Sequence, residues 1–136
     1  MTVLVVDDEP SYRSLVRELL MGDGFDVLTA ENGDEALRKL SVVQPDIIIS
    51  DVYMPIMDGT KLHRSVRAMP RYERLPFLFM SAYNDEYAMG SVCDPRYDGF
   101  FRKGRPAKEL EEWIKYLTTP EDKRDKLLPG QPARMS

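Results

Sequence analysis

Residues 46–51 read Asp46-Ile47-Ile48-Ile49-Ser50-Asp51, a β-branched run that ends abruptly in a hydroxyl and a carboxylate. The run is short and apolar without alternation, so it reads as a strand covered on both faces, the habit of a parallel sheet between helices. Val3-Leu4-Val5-Val6 and Phe25-Asp26-Val27-Leu28-Thr29 precede it as further strands; Phe77-Leu78-Phe79-Met80 and Gly99-Phe100-Phe101 follow. Helical spacing fills the gaps. Leu15, Val16, Leu19 and Leu20 recur from Pro10 onward, with Gly22 and Gly24 as the stop. Ala36, Leu37 and Leu40 follow Asn32-Gly33, and Leu62, Val66 and Met69 precede Pro70. A fourth helix over about 85–93 is expected to be short, because Gly90 lies within it and Pro95 follows. The fifth opens with Pro106 in its first turn and runs through Leu110, Trp113, Ile114 and Leu117. Five βα units predict a doubly wound α/β fold, (βα)5, for which the flavodoxin-like strand order 2-1-3-4-5 is taken as the expectation.

A chain of 136 residues suits one hydrophobic core. The reading places a single domain over 1–118 and a linker-like tail over 119–136, charged at first and then rich in proline and glycine. One cysteine, Cys93, excludes a disulfide framework and leaves too few thiolates for a closed structural zinc site; the single histidine, His63, has no second histidine beside it. This usage suggests a reducing cytoplasm, and the absence of a signal segment or a membrane-length apolar run suggests a soluble, unprocessed protein. A net charge of −4 gives no general attraction to nucleic acid, and the tail cations Lys123, Arg124, Lys126 and Arg134 read as solvated. Neither direct DNA binding nor membrane attachment is expected.

In such a sheet, ligands bind beyond the carboxyl ends of the strands where the order reverses. The ends carry Asp7-Asp8-Glu9, Ser50-Asp51, Ser81-Ala82 and, past the fifth strand, Lys103. Carboxylates brought within ~4 Å repel by about 4 kcal/mol per pair at an effective dielectric near 20. A divalent cation relieves this, and oxygen ligands with retained water select Mg²⁺. With a metal and the Lys103 ammonium neutralising phosphoryl oxygens, Asp51 becomes a candidate nucleophile toward phosphorus, and Ser81 offers a hydroxyl to the arriving group.

These residues resemble the response-regulator receiver family from Val3-Leu4-Val5-Val6-Asp7-Asp8-Glu9, through Asp51-Val52-Tyr53-Met54-Pro55-Ile56-Met57-Asp58-Gly59, to Ser81-Ala82 and Lys103, a match over residues 2 to about 117. The resemblance implies that Asp8, Asp51 and the Tyr53 carbonyl hold Mg²⁺, with Asp7 acting through water, and that a partner histidine kinase phosphorylates Asp51. It implies a switch in which Ser81 moves toward the phosphoryl group and Phe100 turns inward. Output would pass through the face of helix four, strand five and helix five. The implied partners are a sensor histidine kinase or phosphotransfer protein, then a downstream protein or fused output domain, with a homodimer through the same face as a further outcome. The protein is then a signalling phospho-acceptor, with self-catalysed phosphoryl transfer and dephosphorylation, and not an enzyme in the ordinary sense.

The sequence departs from the family in three places. Lys103-Gly104-Arg105-Pro106 separates a lysine and proline that are usually adjacent, so a trans bond before Gly104 is expected. Asp94-Pro95-Arg96-Tyr97 replaces a small-residue loop, and Phe100 lacks the hydroxyl of the frequent tyrosine. The alternative is a pseudo-receiver, an interaction module uncoupled from phosphorylation. An aspartyl-phosphate phosphatase is disfavoured because Tyr53 stands where such enzymes carry a second carboxylate. Asp58 reads as a helix cap, His63 as solvent-facing, Cys93 as a small packed hydrophobe, and Met54, Met57, Met80 and Trp113 as packing. Tyr53 and Tyr83 are expected to flank the cleft and slow dephosphorylation by restricting water.

Overall fold

All five runs become strands of one parallel sheet in the computed structural model, which describes residues 1–124 and 128–131. In chain order they are β1 (Thr2–Val6), β2 (Asp26–Ala30), β3 (Ile47–Asp51), β4 (Phe77–Ser81) and β5 (Asp98–Arg102). The order across the sheet is β2-β1-β3-β4-β5, as the sequence predicts. The pairings Val6↔Ser50, Asp51↔Met80 and Ser81↔Arg102 bring four strand ends to one edge.

Strands without polar alternation make sense once both faces are covered. Leu4, Ile48, Phe77 and Phe79 point into one core with Ala36, Leu40, Leu62 and Val66, under α2 (Gly33–Leu40) and α3 (Gly59–Arg67). Val3, Val5, Ile47, Ile49, Leu78 and Met80 point into the other with Val16, Leu20, Leu110 and Ile114, under α1 (Pro10–Gly22) and α5 (Ala107–Thr118). Each strand thus supplies alternate residues to two apolar layers. Met80 is buried, while Met54, Met57 and Trp113 pack against the layers, as read from the sequence.

The helix starts are chemically marked. Asn32 accepts from Glu35 N, Asp58 from Lys61 N and Asp85 from Ala88 N, each satisfying a donor that the first turn leaves unpaired. Pro106 occupies the cap position immediately before α5, one step outside the predicted first turn. The fourth helix, α4 (Glu86–Met89), is shorter than 85–93. Gly90 caps it, and the following loop turns away to deliver the Cys93 and Asp94 N–H groups to Asp98 Oδ2 at 3.2 and 3.0 Å.

Three expectations are corrected here. His63 is buried, not solvent-facing: it stacks edge-on against Phe77, with ring centroids 5.0 Å apart, and its Nε2 lies 3.0 Å from Asp98 Oδ1. Its position next to Leu62 turns it toward β4 and β5, where a carboxylate satisfies it. Cys93 is exposed rather than packed: its backbone N–H is bonded to the Asp98 carboxylate, and the residue sits in the open loop after α4. Arg124 is not merely solvated: it stacks over Tyr116 at 4.8 Å and donates to Leu117 O and Thr119 O, holding the 3-10 turn Glu121–Lys123 against α5. Lys126 and Arg134 lie outside the described residues. Among the described residues, no helix is long and apolar enough to cross a membrane.

Candidate functional site

At the carboxyl edge of the sheet, the Lys103 ammonium joins two strands' carboxylates. Its Nζ lies 2.8 Å from Asp7 Oδ2 and 2.9 Å from Asp51 Oδ2. Lys103 follows β5 directly and donates its N–H to Ser81 O at 2.9 Å, so sheet pairing sets where its side chain begins. Gly104 then takes a φ of +93°, a turn that an L side chain resists, and among the described residues every peptide bond is trans. The extra Gly104-Arg105 pair therefore widens the turn beyond the lysine without displacing the ammonium.

Three sets of forces act on these charges. Burial pushes the Asp51 carboxyl above its ordinary value, and the Lys103 ammonium offsets only part of that rise. Burial by itself would depress Lys103, but the close Asp7 and Asp51 carboxylates outweigh it and hold the ammonium above its usual range. Asp7 is fully buried; its Oδ1 accepts from Glu9 N at 2.9 Å, whereas Oδ2 has the nearby ammonium but no hydrogen bond of good angle.

Asp7, Asp8 and Asp51 each place a carboxylate oxygen within 4.8 Å of the others. The structure therefore brings together all three predicted acidic residues. An all-oxygen set with one buried, under-bonded oxygen fits a hard divalent cation such as Mg²⁺. The adjoining shallow pocket is lined by Asp8, Tyr53, Met54, Pro55 and Asp58, so Tyr53 borders the same mouth. Asp58 itself is engaged as the α3 cap, as expected.

Ser81 and Phe100 occupy their predicted places, but both face other partners. The Ser81 hydroxyl is buried and accepts from Tyr83 N at 3.0 Å. Phe100 is half-buried against the α2–α3 layer.

Above the cleft, the Tyr53 ring contacts those of Tyr83 and Tyr87, with centroids 5.7 and 5.6 Å away. The Tyr53 hydroxyl donates to Asp85, which pushes its own ionisation up to about 12. Tyr87 donates to Asp58 Oδ2 at 2.8 Å. These bonds tie the segment around α4 to the loop after β3.

Two residues at the cleft escaped the sequence reading. The Tyr12 ring lies 4.5 Å from Lys103 Nζ, and Arg13 Nη1 donates to Asp7 O at 2.6 Å. Their signal was positional: both sit in the first turn of the helix that follows the acidic strand end, which the fold swings over the cleft.

Comparison with known proteins agrees with this geometry. The response regulator receiver domain family matches residues 3–115. An uncharacterized 14.6 kDa protein of Leptolyngbya boryana is 44% identical over 111 residues, covering 82% of this chain and 83% of that protein. The alkaline phosphatase synthesis transcriptional regulatory protein PhoP of Bacillus subtilis is 38% identical over 115 residues, covering 85% of this chain. The chain spans about half of PhoP, 47% of its length. Among solved structures, chemotaxis protein CheY4 of Vibrio cholerae superposes with a TM-score of 0.78 at 31% identity, covering 85% of this chain and 97% of that one. Response regulator TrrA of Thermotoga maritima, in complex with Mg²⁺ and BeF, gives 0.73 at 31% identity with the same two coverages. Sheet order, the acidic cleft with its lysine and the match over residues 3–115 lead to one assignment: the chain belongs to the response-regulator receiver family, a family of signalling domains in two-component systems.

Proposed function

We propose that this chain accepts a phosphoryl group on Asp51 from a histidine kinase in a Mg²⁺-dependent reaction and thereby changes how its α4–β5–α5 face binds a partner. The observation that carries this reading is the Lys103 ammonium, 2.9 Å from Asp51 Oδ2 and 2.8 Å from Asp7 Oδ2. An Asp51 carboxylate oxygen attacks phosphorus, the phosphorus–nitrogen bond of the kinase phosphohistidine breaks, and an acyl phosphate forms on Asp51. Asp7, Asp8, Asp51 and the Tyr53 carbonyl would hold Mg²⁺, which supplies charge neutralisation at the phosphoryl oxygens. Lys103 supplies a second positive charge at the same carboxylate.

After transfer, the Ser81 hydroxyl moves to donate to a phosphoryl oxygen, and that movement takes its oxygen away from the Tyr83 N–H from which it accepts. The movement draws on the loop carrying Tyr83 and, through Asp85, on the Tyr53 contact. About −1.5 to −2 charge is added at one point, and Ser81 and Lys103 provide the contacts that distinguish the two states. A coupling of about 1–3 kcal/mol changes partner affinity roughly 5- to 150-fold. Retention of the Lys103 contacts despite the Gly104-Arg105 insertion favours this reading over a pseudo-receiver.

The deciding experiment incubates the protein with Mg²⁺ and acetyl phosphate beside Asp51→Asn and measures intact mass. A phosphoryl adduct on the wild type alone supports the reading. No adduct from either acetyl phosphate or a phosphorylated kinase rejects it in favour of the pseudo-receiver.

A further inference from the structure

At the opposite edge of the sheet, His63, Cys93 and Asp98 come from three separate elements: α3, the loop after α4 and the first residue of β5. One ligand-capable atom from each, a ring nitrogen, the thiol sulfur and a carboxylate oxygen, lies within 4.8 Å of the other two. The His63 and Asp98 side chains are almost wholly buried, at 5% and 0% exposed, while Cys93 opens to solvent. The acidic cleft lies elsewhere: Asp98 pairs with Phe77 at the start of β4, and four residues of strand, roughly 13 Å, separate that edge from the Ser81–Arg102 pair.

The donor set differs in kind from the acidic cleft. One nitrogen, one sulfur and one oxygen suit a borderline transition ion and offer little to Mg²⁺. Tetrahedral zinc bonds of about 2.0–2.1 Å to nitrogen and oxygen put those two atoms about 3.3 Å apart. His63 Nε2 and Asp98 Oδ1 already stand 3.0 Å apart, so an ion between them needs only a slight opening.

The supporting groups are also built. Asp98 Oδ2 accepts from Cys93 N and Asp94 N at 3.2 and 3.0 Å, which orients the carboxylate. Arg67 Nη2 donates to Asp98 Oδ1 at 2.6 Å and keeps that bond through a second lone pair. The Arg67 charge opposes a cation, and the charge of a Cys93 thiolate counters it.

We infer that His63, Cys93 and Asp98 form a second metal site, for a zinc-class divalent transition ion, with a fourth position open to solvent. On binding, the Cys93 thiol releases its proton to solvent, giving up its 3.4 Å bond to Ser91 O. His63 gives up the Nε2–H that it donates to Asp98, carries its ring proton on Nδ1 instead, and presents the freed Nε2 lone pair to the ion. The ion then ties the loop before β5 to α3, an anchorage independent of Asp51.

Co²⁺ is the probe, added to the metal-stripped full chain, because a thiolate ligand gives it a near-ultraviolet charge-transfer band and a tetrahedral site gives visible d–d bands. The expected result is both features at one equivalent in wild type and in Asp51→Asn, and their bleaching by Zn²⁺. Cys93→Ser, at an exposed position, removes the charge-transfer band and weakens Zn²⁺ binding more than roughly tenfold. His63→Gln, checked for folding by circular dichroism, loses the d–d bands. Absence of a thiolate band at stoichiometric Co²⁺, or bands that persist in folded His63→Gln, overturns the inference. Binding that disappears in Asp51→Asn and persists in Cys93→Ser also overturns it, by assigning the ion to the acidic cleft.

Discussion

A Cβ built on Gly59 would stand 2.1 Å from the backbone carbonyl oxygen of Asp51. The first turn of α3 rests on the peptide that follows the proposed phospho-acceptor, and Gly59 N donates to Val52 O at 2.8 Å. The obstructing atom is backbone, so a side chain at 59 forces the strand end to shift. Gly59→Ala is expected to destabilise the fold by about 1–3 kcal/mol and to slow phosphorylation of Asp51. Urea unfolding and a time course of intact mass measure the two effects. Unchanged values for both would show that α3 does not bear on the strand end.

Lys103→Met retains most of the stem and deletes the ammonium, leaving Asp7 and Asp51 without their shared cation. In EDTA at pH 7, stability is expected to fall by up to about 3 kcal/mol, less than for a fully enclosed pair because the cleft opens to solvent. Removing the charge that opposes burial also lifts Asp51 further above its ordinary value. Phosphorylation by acetyl phosphate should slow about tenfold or more, and Mg²⁺ should recover stability more in the variant than in wild type. Equal Mg²⁺ effects in paired thermal melts would contradict the shared-cation account.

Burial would raise the Asp58 carboxyl, but the Lys61 N–H, the Thr60 and Tyr87 hydroxyls and the Lys61 charge outweigh it and hold the group below its ordinary value. A depressed folded value means that this stabilisation is fully present above the unfolded value, near about 3.9. It is lost as the pH falls through the folded value. Asp58→Ala should therefore cost about 0.5–2 kcal/mol at pH 7, with the deficit shrinking below about pH 4. Paired urea titrations at pH 7 and pH 3 test the sign; an undiminished deficit at pH 3 would show that the carboxylate is not its source.

The Tyr53, Tyr83 and Tyr87 rings stand together beside the cleft. Restriction of water by these rings around an acyl phosphate on Asp51 predicts that Tyr53→Ala/Tyr83→Ala shortens the phospho-lifetime severalfold. Decay of the adduct after removal of donor supplies the comparison. A wild-type lifetime of seconds that matches the double variant would reject water restriction.

Strand identity was legible because runs such as Ile47–Ile49 are apolar at every position, which only a sheet covered twice accommodates. The acidic cleft was legible for a related reason: once strand order is inferred, residues far apart in sequence fall at one edge. His63 was not. Its partner Asp98 lies 35 residues away, and the local pattern of α3 could not indicate that a carboxylate waits beneath it. The shortness of α4 was legible in Gly90 and Pro95, but its end came earlier than the pattern to 93 indicated, because the backbone after Gly90 is recruited by that same carboxylate. Arg124 likewise became a packed residue only through Tyr116 on the preceding helix.

β5 behaves as a ruler. Its first residue, Asp98, is pinned by His63, Arg67 and two backbone N–H groups, and Lys103 just past its end is pinned by Ser81 O. Sliding the strand by one residue would exchange the faces of Phe100 and Phe101 and withdraw the ammonium from the cleft. An insertion or deletion between 98 and 103 therefore cannot be absorbed by slippage. Length can vary immediately beyond it, and Gly104-Arg105 lies in that tolerant stretch, where added residues lengthen a turn and leave the measured span intact.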